Sequence, residues 1–190
     1  GNNNDWTSNN LTESDISVDS PTNNFCTWNP LNEKSTTFSE GNTKLVIDTG
    51  GNRSTVGTMA VNSGKWYYEF VNISIDYTIF GFINSDYNAD TDGNALESYT
   101  DSVGYYSYGA FIYVDGSRTS YGNSWQSTGD IVGVALNLDD GEITFYKNGV
   151  SQGVNSTKTF DGYYIPAISN ATSSTTQTGI ANFGQDSSFA

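Results

Sequence analysis

The chain has 190 residues, a formal charge of −14 with only seven basic side chains, and no histidine. That balance repels phosphate backbones and anionic lipid surfaces, which excludes nucleic acid and membranes as natural partners. With no histidine and a single cysteine there is no Ser-His-Asp or Cys-His machinery, no usual histidine-containing zinc site, no thiolate cluster and no intrachain disulfide.

A length of this order suits one all-β domain with a substantial core. Hydrophobic residues make up 35% of the chain and include 13 Tyr and 10 Phe, so the core is expected to rest on aromatics standing on half-buried strands. No segment has sustained helical periodicity, and no apolar run approaches the roughly 18 residues of a membrane span. The first residue is Gly, with no signal peptide after it, which reads as a piece of a longer or processed polypeptide.

Residues 1–23 are rich in Asn, Thr, Ser and Asp with scattered Trp6, Leu11, Ile16 and Val18, the composition of a linker or extended arm. Trp6 offers such an arm a contact on a neighbouring subunit. From residue 24 the chain reads as one domain to residue 190. Cys26, between Phe25 and Thr27, suits a small buried hydrophobe. Strands are predicted over Lys44 to Asp48, Ser54 to Val61, Lys65 to Ile75 and Tyr77 to Ile83, each bounded by Gly, Asn or Ser.

Between Asn84 and Val103 lies a connection of roughly twenty residues, long enough to be a candidate functional loop. Within it Asn88, Asp90 and Asp92 precede Gly93, resembling the first half of a calcium loop. The twelfth position of such a loop is Tyr99 rather than an acid, and Glu97 comes two residues early. Gly104 to Gly116 is Tyr-rich and ends at an Asp-Gly turn, and Trp125 sits in a polar setting further on. Ile131 to Leu138 places Val132, Val134, Leu136 and Leu138 on one face. Gly141 and Asn148-Gly149 supply two tight turns around a middle strand carrying Ile143 and Phe145.

This hairpin array resembles the most diagnostic part of the SPRY domain family, and further motifs agree in order. Ser63 to Phe70 (SGKWYYEF) resembles the family's Gly-x-Trp/Tyr-Tyr-Trp/Tyr-Glu strand, with Phe80-Gly81-Phe82 where its next Gly-centred strand falls. Tyr164 to Ser169 (YIPAIS) and Ala181 to Gln185 (ANFGQ) resemble the Pro-Ala-hydrophobic-Ser and Asn-Phe-Gly strands. The resemblance runs over roughly residues 24 to 190 and implies an all-β antiparallel sandwich of the concanavalin-like, jelly-roll kind. It also implies a binding surface built from loops at one edge of the sandwich, varying with the partner. The stretch Asp19 to Leu31 resembles the lead-in to SPRY-like domains of bacteriophage virion proteins.

The remaining enzymatic route is a carboxylate pair. The catalytic Glu-x-Asp-x-Glu run of sandwich glycanases is absent, Glu69 is expected to make a structural hydrogen bond, and Glu142 follows a turn into solvent. Recognition is the better reading, because Tyr gives a rigid amphipathic surface at low entropy cost. The candidate ligand-binding residues are Tyr87, Tyr99, Tyr105, Tyr108, Tyr121 and Trp125, with Tyr106 also in the set, and Asn88, Asp90 and Asp92 are the candidate metal ligands. Strand alternation sends about half of the aromatics inward, Tyr106 and Tyr108 being the pair expected there.

The expected function is a non-catalytic binding module of a phage virion or other extracellular assembly, taking a host-surface glycan or protein, with no cofactor beyond a possible Ca2+ in the acidic loop. The alternatives are a capsid or fibre decoration protein contacting other virion subunits in a larger oligomer, and then a glycan hydrolase. The sequons at Asn10, Asn52, Asn72, Asn155 and Asn170 are expected from chance in a chain this rich in Asn, Ser and Thr.

Overall fold

The computed structural model describes Asn9 and residues 24–187 apart from 50–52, 75, 93–95 and 172–173. Trp6 and the sequons at Asn10 and Asn52 lie outside the described residues. In chain order the strands are β1 (Trp28–Glu33), β2 (Thr36–Ser39), β3 (Lys44–Ile47), β4 (Arg53–Gly57), β5 (Lys65–Ser74), β6 (Thr78–Asn84) and β7 (Ser102–Tyr106). They continue as β8 (Phe111–Val114), β9 (Ser117–Ser120), β10 (Ile131–Asn137), β11 (Glu142–Lys147), β12 (Val150–Asn155), β13 (Tyr164–Asn170) and β14 (Gln177–Asn182).

These form two seven-stranded sheets, ordered β1-β4-β13-β6-β7-β8-β9 and β12-β11-β10-β5-β14-β3-β2. All pairings are antiparallel, so the fold is the expected sandwich. The hairpin array forms as read. Val134 pairs with Phe145 and Leu136 with Ile143, while Asn148 and Gly149 take φ of 49° and 75° at the second turn. The Tyr-rich segment is two strands rather than one, because Gly109 (φ 79°) and Ala110 (φ 58°) turn the chain between β7 and β8.

The main core lies between the sheets and is aromatic. Tyr68 and Phe70 on β5 meet Phe80 and Phe82 on β6, with Trp28, Trp125, Tyr105 and Phe145 fully interior beside them. Tyr68 stacks on Phe183 at 5.1 Å and meets Phe82 edge-on at 5.3 Å. Each such ring contributes about 1.5–3 kcal/mol by burial, and each pair adds about 0.5–1.5 kcal/mol from ring geometry. Cys26 lies buried at the margin of this core, as its neighbours suggested.

A second cluster covers the outer face of the first sheet. Ile79 and Ile83 of β6, Tyr106 of β7 and Ile165 of β13 are roofed by Tyr87, Ala89 and Leu96 from the long connection after β6. That connection is a packed cover rather than a free loop. It can lie down because Gly81 and Gly104 face each other across β6 and β7. A Cβ on Gly81 would meet the Val103 carbonyl oxygen at 2.1 Å, and one on Gly104 would meet Ile79 Cγ2 at 2.4 Å and Leu96 Cβ at 3.2 Å.

The far end of the cover is clamped by a buried cation. Lys158, with 4% of its side chain exposed, places Nζ 2.5 Å from Asp101 Oδ1 and 3.0 Å from Asp115 Oδ1. Tyr164 donates its hydroxyl to Asp101 Oδ1 at 2.6 Å, and Asn84 donates Nδ2 to Oδ2 at 2.7 Å. Burial works against both charges, yet these hydrogen bonds hold Asp101 below the usual carboxylate range and Lys158 above the usual ammonium range.

Asn72 and Asn170 are buried within strands, so neither sequon can carry a glycan in the folded chain. Gly104→Ala overpacks the floor beneath Leu96 and is expected to cost about 1–3 kcal/mol. Denaturant melts and hydrogen exchange check this, with the lost protection concentrated in residues 96–106; unchanged protection there would show that the floor tolerates a methyl group.

Candidate functional site

The structure separates the predicted aromatic set by depth. Tyr87, Tyr105 and Trp125 are interior, and Tyr106 is nearly so. None of the four offers its ring face to a surface ligand. Tyr105 points between the sheets, where its hydroxyl accepts from Asn123 N at 2.9 Å and donates to Asn123 O, pinning the stretch before Trp125. Trp125 packs against Phe80 and Tyr105, so its polar neighbours in sequence do not describe its surroundings in space. Tyr121 is half-buried and ties the chain after β9 to β11 and β12, accepting from Phe145 N at 3.0 Å and donating to Gly153 O. Tyr99 packs edge-on against Tyr87 at 5.3 Å in the cover.

Tyr108 is the exposed member, at 50%. The alternation expected for Tyr106 and Tyr108 is corrected here. Tyr105 takes the inward position, Tyr106 faces out beneath the cover, and Tyr108 stands on the turn. Around it the structure assembles residues that sequence reading did not single out. Tyr77, in the connection after β5, lies 5.2 Å from Tyr108, and Tyr106 touches Tyr108 at 6.3 Å and Tyr113 at 5.8 Å. The Arg118 guanidinium carbon sits 4.5 Å over the Phe111 ring. Alternation within β8 sends Phe111 and Tyr113 outward, opposite Ile112, and the register pairs Tyr113 with Arg118 on β9.

This patch of Tyr77, Tyr108, Phe111, Tyr113 and Arg118 lies where the cover stops, on the outer face of the first sheet. Gly109 is required beside it, since a Cβ there would strike the Phe111 ring at 2.7 Å. Burial first, then the neighbouring Tyr113 and Tyr77, pushes Tyr106 up to about 12, so its hydroxyl keeps its proton at neutral pH.

The acidic loop spends part of its oxygen set within its own turn. Asp92 Oδ2 accepts from Asn88 N at 2.7 Å, and Asn88 Oδ1 accepts from Asp90 N at 2.9 Å. Those two oxygens serve the turn's own amides. Among the described residues no group of three or more acidic or thiol side chains is placed to hold a metal ion.

Residues 65–186, more than half of the chain, match the SPRY domain family. The chain belongs to the SPRY domain family. Among solved structures it is similar to the SPRY domain of human HERC1, at 19% identity and a TM-score of 0.71, covering 84% of this chain and 99% of that one. It is also similar to stonustoxin, at 20% identity and a TM-score of 0.66, covering 83% of this chain and 27% of that one. At these identities the likeness speaks for the fold. SPRY domains are generally non-catalytic modules that mediate protein–protein interaction.

One carboxyl group of this SPRY domain is held in an apolar setting. Glu97, in the cover, has both oxygens buried and receives no hydrogen bond from another residue. Tyr87 and Tyr106 lie within its electrostatic reach. Burial pushes its pKa from 4.5 up to about 7. The folded chain therefore holds this proton more tightly than the unfolded chain does. The resulting stabilisation is complete below about pH 4.5 and is lost as pH rises through about 7. Wild type minus Glu97→Gln is expected to lose on the order of 3 kcal/mol of stability across that window in denaturant melts. A pH-independent difference would show the carboxyl to be solvated.

Proposed function

We propose that this SPRY domain is a non-catalytic binding module that docks a protein partner on the Tyr77, Tyr108, Phe111, Tyr113 and Arg118 patch. The observation that supports this is the chain of aromatic contacts from Tyr113 through Tyr106 and the half-exposed Tyr108 ring to Tyr77. Tyr and Arg are the side chains that most often carry interface energy, and rings already locked against one another lose little entropy when a partner arrives. The phenol hydroxyls add hydrogen-bonding groups at the rim of an apolar surface. A virion or other extracellular setting belongs to the same proposal. It rests on the lead-in at residues 19–31 and on the acidic, histidine-free composition.

The structural alternative also has an observation in its favour. The edge strand β12 leaves Val150 and Val154 at 65% and 61% exposed, a ready surface for pairing with a second copy.

The wild-type chain and a Tyr108→Ala/Arg118→Ala variant, screened on protein and glycan arrays, test the proposal. Protein ligands are expected to bind at least about tenfold more weakly to the variant, the loss of roughly 1.4 kcal/mol typical of removing an interface anchor. Binding to glycans alone would replace the protein partner with a sugar. Self-association through β12 in sedimentation, with no binder on either array, would favour the decoration reading.

A further inference from the structure

The aromatic patch follows the end of β5. The strand's other end carries a second feature that the patch does not use. Where β5 begins, an apolar cavity of about 160 Å³ opens between the sheets, lined by Met59, Val61, Trp66, Phe82, Pro166 and Phe183. At ~3.3 Å per residue, the ten residues of β5 put this mouth on the order of 30 Å from Tyr77. The two surfaces are therefore independent.

The mouth is built from large apolar groups left in solvent. Met59, Trp66 and Tyr67 are 38%, 48% and 51% exposed. Each of the two rings is held by a hydrogen bond. Trp66 donates Nε1 to Ser63 O at 2.7 Å, and Tyr67 donates its hydroxyl to Glu69 Oε1 at 2.6 Å while meeting Tyr146 edge-on at 6.1 Å. Tyr67 reaches that position by lying across Gly133, where a Cβ would come within 2.3 Å of its hydroxyl oxygen. A sequence that keeps glycine under an exposed tyrosine is holding the ring out on the surface of the sheet.

Trp66 and Tyr67 also wall a shallow groove on the outer face of the second sheet, floored by Ala135, Asn137 and Thr144 and bordered by Glu142. The one cation lining that groove, Lys65, lies 3.7 Å from Asp140, so Glu69 and Glu142 set the sign of its field. We infer that this pocket and groove receive an extended segment of a partner protein. A Leu, Met or Phe side chain of the segment fills the cavity, and a Lys or Arg two or three positions away faces Glu69 and Glu142. Size supports the anchor, since a dry apolar cavity of about 150 Å³ takes a group as large as benzene. Spacing supports the basic residue: Tyr67 and Glu69 are one alternation apart on β5, about 7 Å, which is two residues of an extended peptide. The charge of the whole chain, −14, favours approach of a basic segment.

The test pans a displayed random 12-residue peptide library on the full chain and measures synthetic copies of the enriched peptides by calorimetry. Enriched peptides are expected to share a large apolar residue with Lys or Arg two or three positions away. Their affinity is expected to fall at least tenfold in Trp66→Ala and severalfold in Glu69→Gln/Glu142→Gln. Gly133→Ala, which displaces Tyr67 from outside the core, is expected to weaken binding as well, while Tyr108→Ala leaves it unchanged.

Enriched peptides that bind Trp66→Ala as well as wild type, or that lose binding in Tyr108→Ala, overturn the assignment. An empty selection overturns it too. So does a wild-type dimer that Trp66→Ala dissociates, which would give the pocket to a second copy, or a Trp6→Ala variant that alone binds apolar probes, which would give it to this chain's own arm. Because Tyr108 and Trp66 are read separately, failure here leaves the aromatic patch standing or falling on its own measurement.

Discussion

The close approach where Gly81 faces Gly104 across β6 and β7 is the constraint on which the rest of the architecture depends. Without side chains at those positions the outer face of the first sheet has a thin strip. Leu96 settles over it and brings the long connection down. A sheet whose two faces are both covered behaves as an interior layer, and its strands read as nearly continuous apolar runs. The burial of every β13 position, from Tyr164 to Asn170, is the direct result. The cover also decides what stays visible. It ends short of β8, leaving Phe111, Tyr113 and Arg118 at its margin with Tyr77 and Tyr108.

The second sheet solves the same packing problem differently. Its inner face presents Tyr68, Phe70, Val132, Val134, Leu136, Ile143 and Phe145 to the aromatic core, and among the described residues its outer face has no such roof. Tyr67, Tyr146 and Thr144 remain on that face, and the cavity beside Trp66 opens where the inter-sheet rings run out. One covered sheet and one bare sheet give the sandwich two unlike surfaces, each with aromatic side chains held in place by neighbours rather than left to rotate. That rigidity is what a docking surface needs. The entropy of ordering those rings is lost when the chain folds, not when a partner binds.

The β10–β12 hairpin array was legible because period-two alternation and Gly-containing turns are local properties, whereas β1, β2 and β9 were not foreseen. Val132, Val134 and Leu136 could lie only on one face, and Asn148-Gly149 could serve only as a tight turn. Depth was not legible in the same way. Trp125 stands among polar residues in sequence yet lies beneath Tyr105 and Phe80, because the chain after β9 crosses the open end of the sandwich and closes it. The acidic run at Asp90 and Asp92 looked like a ligand set because the side-chain types were right. In the folded turn, the Asn88 amide claims Asp92 Oδ2 and the Asp90 amide claims Asn88 Oδ1. The inward placement expected for Tyr106 and Tyr108 failed because Tyr105 takes the inward parity of β7 and Tyr108 lies past the strand's end, at the turn made by Gly109 and Ala110. Phe111, Tyr113 and Arg118 were present in the alternation of the next hairpin, but only its register brings them beside Tyr108.

The clamp at Lys158 has a further consequence for the chain in saline surroundings. Mobile ions screen exposed charges beyond about 10 Å at 0.1 M salt but penetrate little into a side chain enclosed by protein. The surface pair of Lys65 and Asp140, 3.7 Å apart and mostly exposed, weakens as ionic strength rises. The mutual repulsion of the acidic shell is relieved at the same time. Lys158, shielded between Asp101 and Asp115, keeps its attraction. Concentrated salt therefore relieves the repulsion that opposes the compact state and, among the described ion pairs, weakens least the clamp that ties its loops together.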